Sequence, residues 1–297
     1  MEKSKFYGNL NGQLIDYSVK QRADLFQDRG LAYGHGLFES ILLYNAELPL
    51  LERHLLRLCG DAHKLGIPIQ FERVEQSLKQ LVEVLESDAV GKGVLKIIVT
   101  AGVGGRGYQS PEVIDPSIIC LYSPVPEDMD RQRGEGIAVR YCEHRLPYNS
   151  ALAGIKHLNR LDQVLARREW ASSDYQDGLM FTDADQLIES ISANVFLKNA
   201  SGDWLTPRLD AAGVSGVMRS LLLEEIFPAC RIPVAVAEVS SDELALCQEL
   251  FVCNSIRGLV AVTSVHNSHN KPVKSLPIGE QTLMLRSKLV EKYPHYQ

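Results

Sequence analysis

Between residues 109 and 136 the chain carries Pro111, Pro116, Pro124 and Pro126, followed by the charged run 127–133. Proline fixes φ and removes a backbone donor, so neither a helix nor a central strand continues through such a stretch. A chain interrupted in this way is expected to fold as two bodies. The reading places the boundary near residue 124, giving a small α/β domain over 1–123 and a larger one over 124–297. The 297 residues supply enough chain for two cores.

Local patterns fill in both parts. Asn11-Gly12 between the apolar arms of 7–15 is a tight-hairpin signal. Residues 37–44 and 48–51 read as a second hairpin turning at Asn45-Ala46-Glu47. Leu55, Leu58, Ala62 and Leu65 repeat at helical spacing and stop at Gly66 and Pro68; Val74, Leu78, Leu81, Val82 and Leu85 do the same over 71–86. Residues 94–100 are β-branched and strand-like. In the second part, strands are expected at 136–142, 178–182, 193–198, 232–238, 250–253 and 259–265. Helices are expected at 159–172, 216–227, 241–247 and 278–293.

Composition narrows the function classes. Lys plus Arg total 31 against 37 Asp plus Glu, a net charge of −6, which lacks the basic footprint of a nucleic-acid binder. Residues 1–10 hold no apolar signal region, and no run approaches the roughly 18 to 20 apolar residues that span a bilayer. Cys59, Cys120, Cys142, Cys230, Cys247 and Cys253 show neither a C-x-x-C pair nor a regular spacing. A cytoplasmic protein without membrane or nucleic-acid partners is expected, its thiols reduced.

Several motifs give way to plainer readings. Gly102-Val103-Gly104-Gly105-Arg106-Gly107 satisfies G-x-G-x-x-G after a strand. A dinucleotide site needs that motif to open a helix, however, and here Tyr108-Gln109-Ser110-Pro111 follows. The better reading is a loop carrying Arg106 and Tyr108 to an anionic ligand, since a guanidinium fork matches a carboxylate. His266-Asn267-Ser268-His269 lacks a third ligand nearby, so no metal site is expected. Asp183-Ala184-Asp185 reads as a hairpin turn. Hydrolase and NTPase signatures are missing. Three features of distinctive chemistry remain: Lys156 between a strand and a helix, Glu189 before a strand, and a helix opened by the segment 213–219. The glycines of that segment let backbone N–H groups approach an anion.

Taken together, these segments resemble the fold-type IV, branched-chain aminotransferase-like family of pyridoxal-phosphate enzymes. The matching pieces are Asp28-Arg29-Gly30 with the segment 34–39, Arg53-His54-Leu55-Leu56-Arg57-Leu58, Gly104-Gly105-Arg106-Gly107-Tyr108, and the segments 153–161, 189–196 and 206–219. Within the family, Gly154-Ile155-Lys156-His157-Leu158-Asn159-Arg160-Leu161, Gly104 to Tyr108 and Pro207-Arg208-Leu209-Asp210 are similar to the lyase branch. His35 stands where many relatives carry aspartate.

The resemblance implies a two-domain, mixed α/β fold of the D-amino-acid aminotransferase type, with the cofactor at the domain interface and the chain paired as a homodimer. It implies that Lys156, in the larger domain, carries pyridoxal phosphate and then serves as base and acid. That role needs a neutral amine, which burial beside a cationic cofactor favours. Glu189 would pair with the pyridine nitrogen. Arg57, the backbone amides of Val217 and Met218, and Ser255 would clamp the phosphate, Val214 would pack on the ring, and Asn194 would support the pocket. Arg106, Tyr108 and Arg257 would meet substrate carboxylates, and His54 would face the neighbouring subunit's site. The activity implied is elimination from 4-amino-4-deoxychorismate to give 4-aminobenzoate and pyruvate. A D-amino-acid or branched-chain aminotransferase is the alternative on the same fold. A binding protein relieved of catalysis would need neither Lys156 nor Glu189.

Overall fold

The computed structural model describes residues 8–10, 13–14, 27–105, 107–171 and 174–297. It divides into two compact units, one formed by Met1–Val125 with Lys156–Asn159, the other by Pro126–Ile155 with Arg160–Gln297. The division falls two residues beyond the boundary read from the prolines. Lys156, expected in the larger C-terminal body, belongs by its contacts to the first unit.

The first unit is a five-stranded antiparallel sheet with helices. Its elements are β1 (Gly8–Leu10), β2 (Gln13–Leu14), α1 (Arg29–Tyr33), β3 (Gly36–Tyr44), α2 (Leu51–Lys64), α3 (Phe71–Ser87), β4 (Lys92–Thr100) and β5 (Ser117–Ser123). The sheet order is β2-β1-β5-β4-β3. β1 and β2 pair antiparallel, as the Asn-Gly signal requires, while Asn11 and Gly12 themselves lie outside the described residues. Leu55, Leu58 and Ala62 on α2 and Val74, Leu78, Leu81 and Leu85 on α3 are buried, so each helix turns its apolar stripe inward. One expectation fails. The chain does turn at Asn45 and Ala46, both at positive φ, but residues 48–51 form no strand and Leu51 opens α2. The partner of β3 is β4, in register from Gly36↔Thr100 to Tyr44↔Lys92.

The second unit holds α4 (Met129–Glu135), β6 (Ile137–Leu146), α5 (Leu161–Arg167), β7 (Asp177–Thr182), β8 (Leu187–Ser190), β9 (Asn194–Lys198), β10 (Trp204–Pro207) and α6 (Val217–Leu221). They are followed by α7 (Phe227–Ala229), β11 (Val234–Ala237), α8 (Ser241–Leu246), β12 (Glu249–Asn254), β13 (Gly258–His266), β14 (Pro272–Ser275) and α9 (Glu280–Lys292). The sheet runs β11-β10-β9-β12-β13-β6-β7-β8, with β14 added on β13. Both faces of its central strands are covered. Val195 and Leu197 of β9 join one apolar core with Leu250, Val252 and Val260, whereas Phe196 between them stacks on Phe251 and Phe227. Strands buried on both faces read as continuous apolar runs, which is why β7 is buried throughout.

Two crossovers carry residues singled out in the sequence. β6 and β7 are parallel, and the connection between them carries Lys156 and α5. β10 and β11 are also parallel, and their connection carries the segment 213–219. Connections that leave the carboxyl ends of parallel strands are the usual seats of ligands in α/β sheets. The helix expected at 159–172 is shorter than its pattern, and that at 216–227 passes from α6 into a π-helical turn at Leu222–Ile226. The charged run 127–133, read as linker, contributes to α4.

Candidate active site

In the first unit, Lys156 is tied to the outer edge of β3. Phe38 donates its N–H to the Lys156 carbonyl at 3.0 Å, Leu158 donates to the Gly36 carbonyl at 2.9 Å, and Leu37 bridges His157. This short strap supplies partners for backbone groups that an edge strand otherwise leaves unpaired. The Lys156 Nζ lies 4.1 Å from the centroid of the Phe38 ring, within the range of a cation–π contact. The backbone of Lys156 is thus fixed along β3, and its amine lies against an aromatic face.

One residue further along β3, Glu39 is buried, and two residues of α2 converge on it. His54 Nδ1 lies 2.7 Å from Glu39 Oε2, and Arg57 donates through Nε to Oε1 at 2.8 Å and through Nη2 to Oε2 at 2.5 Å. His54 and Arg57 reach one carboxylate because three residues of helix bring side chains to the same face. Burial alone would raise the Glu39 pKa, but the Arg57 guanidinium and His54 overcome it and hold the carboxyl at about 2. Burial lowers the His54 pKa; the attraction of Glu39 opposes this, and Arg57 and Lys156 add to the lowering. A neutral ring that donates from Nδ1 leaves Nε2 as an acceptor, and that atom is buried with no partner among the described residues.

His54 was expected to face a neighbouring subunit. It is fully buried against Glu39 within its own unit, because the carboxylate draws the ring inward. Glu39 was not assigned a role from sequence. The available signal was an acid inside the otherwise apolar run of β3, followed by a histidine and an arginine at helical spacing.

In the second unit, Glu189 precedes β9 as expected, itself lies within the short strand β8, and is buried. Its Oε2 accepts the Val214 N–H at 2.8 Å, while the Val214 carbonyl accepts from Asn194 Nδ2 at 2.9 Å. The backbone of Val214 is therefore clasped by two of the residues expected around the cofactor. Gly154 pairs with this segment, donating to the Gly213 carbonyl at 3.0 Å and accepting from the Ser215 N–H at 2.9 Å. The glycines are sterically required. A Cβ on Gly213, which has φ +85°, would lie 2.6 Å from Ile188 Cγ2, and one on Gly216 would lie 2.0 Å from Asn194 Oδ1. Gly216 caps α6, so Val217 and Met218 contribute first-turn N–H groups that no helical carbonyl can satisfy.

The remaining expected residues are placed as follows. Ser255 lies in the turn after β12, where its carbonyl accepts from the Tyr296 hydroxyl at 3.1 Å. Tyr108 is strongly exposed, and Arg106 lies outside the described residues. Arg257 is turned inward. Its Nη2 donates to Asp177 Oδ2 at 3.0 Å and to Ser192 Oγ at 2.9 Å, and Nη1 donates to Gln132 Oε1 at 3.1 Å. The guanidinium expected to meet a substrate carboxylate is occupied by an internal one. Gln163, which was not singled out from sequence, brings Nε2 to 3.5 Å from Glu189 Oε1.

The two sheets with their helices make a mixed α/β fold of the class that houses pyridoxal-phosphate enzymes. A family model described as amino-transferase class IV matches residues 36–265, and the chain belongs to that family. An aminodeoxychorismate lyase from Vibrio harveyi is 30% identical over 262 residues, which are 88% of this chain and 94% of that protein. The solved 4-amino-4-deoxychorismate lyase from Pseudomonas aeruginosa matches with a TM-score of 0.84 at 36% identity, covering 96% of this chain and 99% of that one. A hypothetical aminotransferase from Mycobacterium tuberculosis, solved in a PLP-bound form, shares the fold with a TM-score of 0.79 at 18% identity, covering 96% and 99%.

Proposed function

We propose that the protein is a pyridoxal-phosphate-dependent aminodeoxychorismate lyase, splitting 4-amino-4-deoxychorismate into 4-aminobenzoate and pyruvate. The observation that carries this reading is the end-to-end match, in sequence and fold, to the Pseudomonas aeruginosa lyase. The Vibrio harveyi relative points the same way.

The residues fit the cofactor. A primary amine, a buried carboxylate, a backbone stripped of Cβ atoms at Gly213 and Gly216, and the first-turn amides of α6 are the donors and acceptors that an aldehyde, a ring nitrogen and a phosphate each require. In this reading Lys156 holds the aldehyde carbon, Glu189 the ring nitrogen, and Val217, Met218, Ser255 and Arg57 the phosphate. Val214 packs on the ring, and Asn194 keeps Val214 in place. Arg57 is oriented for its part by Glu39.

When bound, pyridoxal phosphate supplies an electron sink that acidifies the substrate C–H next to the amino group. Lys156 Nζ removes the proton from C4 of the substrate. The electron pair released there re-forms as a ring double bond while the C3–O bond to the enolpyruvyl group breaks, and the ring becomes aromatic. The ammonium on Lys156 then returns its proton to the departing enolpyruvate, which becomes pyruvate, so atoms and charge balance. Glu189 would accept a hydrogen bond from the protonated ring nitrogen. Tyr108 and Arg106 hold the substrate carboxylates.

We further propose a cytoplasmic homodimer. Among the described residues no helix is long and apolar enough to cross a membrane. The six cysteines form no disulfide, as suits a reducing compartment. Leu161, Val164 and Leu165 leave an exposed apolar stripe on α5, suited to a second copy of the chain.

The deciding experiment incubates the pyridoxal-phosphate-loaded protein with 4-amino-4-deoxychorismate and quantifies both products. Equimolar 4-aminobenzoate and pyruvate are expected. If a yellow, borohydride-sensitive protein releases neither but transfers an amino group to 2-oxoglutarate, it is an aminotransferase. Lys156→Ala should abolish the borohydride adduct.

A further inference from the structure

Arg29 is only 3% exposed, yet among the described residues its guanidinium meets no carboxylate. It donates instead to three successive backbone carbonyls of the loop after β4: through Nη1 to Gly107 at 3.1 Å and Gln109 at 3.3 Å, and through Nη2 to Tyr108 at 2.9 Å. Its Nε donates to His35 Nδ1 at 3.3 Å, and the other ring nitrogen of His35 donates to the Leu65 carbonyl at 2.9 Å, which fixes the tautomer that can accept from Arg29. The guanidinium also lies 4.9 Å from the centroid of the Tyr33 ring. Tyr33 adds two contacts of its own. Its hydroxyl accepts the Gly107 N–H at 2.9 Å, and its ring lies 5.6 Å from that of Tyr108.

The base of the same loop is bonded to the same segment. Arg29 donates its N–H to the Gly102 carbonyl at 2.9 Å, Gly104 donates to the Gln27 carbonyl at 3.2 Å, and Asp28 bridges Val103. The Asp28 carboxylate caps α1 through the Gly30 N–H at 2.7 Å and accepts from the Thr100 hydroxyl at 2.7 Å, and that hydroxyl accepts the Gly102 N–H at 3.0 Å. Gly104 has to lack a side chain, because a Cβ there would lie 2.4 Å from Arg29 Cδ. An ammonium would replace the guanidinium only in part, because its three donors diverge from one nitrogen while the planar fork spreads five donors over three.

We infer that Arg29, set by His35 and Tyr33, is the positioning residue that holds residues 107–109 of the loop after β4 so that the loop receives the anionic end of the substrate. The inference rests on the reading of Tyr108 and Arg106 as substrate-binding residues. Ordering the loop before substrate arrives lowers the entropy cost of capture, so its loss appears in KM more than in kcat.

The test compares Arg29→Gln, Arg29→Lys and Tyr33→Phe in the full-length holoenzyme. Limited trypsin digestion, read as cleavage after Arg106, reports on the loop without any substrate. Arg29→Gln is expected to speed that cleavage about tenfold or more, as expected when a loop's carbonyl bonds are released. It should raise KM for 4-amino-4-deoxychorismate by about tenfold, with kcat within about threefold of the parent. Arg29→Lys should fall between the two, and Tyr33→Phe should show the same pattern more weakly. A cleavage rate and KM equal to the parent's would overturn the proposal, as would a parallel fall in cofactor uptake, kcat and melting temperature in both Arg29→Gln and Tyr33→Phe. Faster cleavage with unchanged KM would leave the clasp standing and refute the substrate role of the loop.

Discussion

Val214 donates its backbone N–H to Glu189 Oε2 at 2.8 Å, so the buried acid holds the segment before α6 with one of its oxygens. Two effects of replacing it can therefore be separated. Glu189→Gln keeps a carbonyl oxygen for Val214 and should leave the melting temperature close to the parent's, while kcat falls on the order of 100-fold, about 3 kcal/mol of barrier. Glu189→Leu strands the Val214 N–H as well and should cost a further 1–3 kcal/mol or about that in stability. Steady-state product formation and thermal denaturation of the two variants read these effects independently.

Asn194 and Gly216 test the same clasp from its other side. A Cβ at Gly216 would lie 2.0 Å from Asn194 Oδ1, and the Asn194 amide is the donor to the Val214 carbonyl. Gly216 has φ −68°, so alanine is accepted by the backbone and the effect is purely steric. Gly216→Ala should weaken pyridoxal-phosphate binding by about tenfold or more, the cost of one displaced buried hydrogen bond. Titration of the cofactor absorbance measures it. An unchanged affinity would mean that Asn194 does not set the cofactor seat.

The Glu39, His54 and Arg57 cluster makes stability fall with acid in two windows. His54 is held below its ordinary 6.5, so the unfolded chain binds its proton more readily, and stability present above about pH 6.5 is lost as the pH drops below it. Glu39 is held at about 2 against an ordinary 4.5, so its contribution is full above about pH 4.5 and disappears as the pH falls toward about 2. Glu39→Gln should abolish the lower window. It should also cost about 3 kcal/mol at neutral pH, because Arg57 is left without its carboxylate. Urea denaturation across pH 2 to about 8 checks both.

Much of this architecture was legible where a signal is local. The apolar stripes of α2 and α3, the β-branched run of β4 and the proline-rich boundary all follow from neighbours in sequence. The misread strand at 48–51 shows the limit. The turn at Asn45 and Ala46 is real, but the partner of β3 lies about fifty residues on, and nothing local specifies it. β8 was marked only by the hairpin turn read at 183–185, because its four residues include Glu189 and Ser190, polar groups whose burial is satisfied by Val214, Ala193 and Asp177 at positions distant or unmarked in sequence. The motif segments drew attention to Lys156 and Glu189 through their chemistry. The lock on Lys156, a strap along β3, became visible only in three dimensions.

Arg257 carries the last of these lessons into a prediction. From sequence it was a cation after a turn and therefore a candidate for substrate, but it pairs with Asp177, eighty positions earlier and itself buried. Removing the guanidinium leaves a buried carboxylate uncompensated, which typically costs about 3–5 kcal/mol. Arg257→Ala should lose about that much stability. Asp177→Asn should lose less, since the amide still accepts a hydrogen bond, and the double variant should lose less than the sum, the signature of direct coupling. A substrate role for Arg257 predicts the opposite pattern: an unchanged melting temperature, additive variants, and a KM raised in Arg257→Ala alone. Thermal denaturation of the four proteins, with KM measured on each, decides between the two.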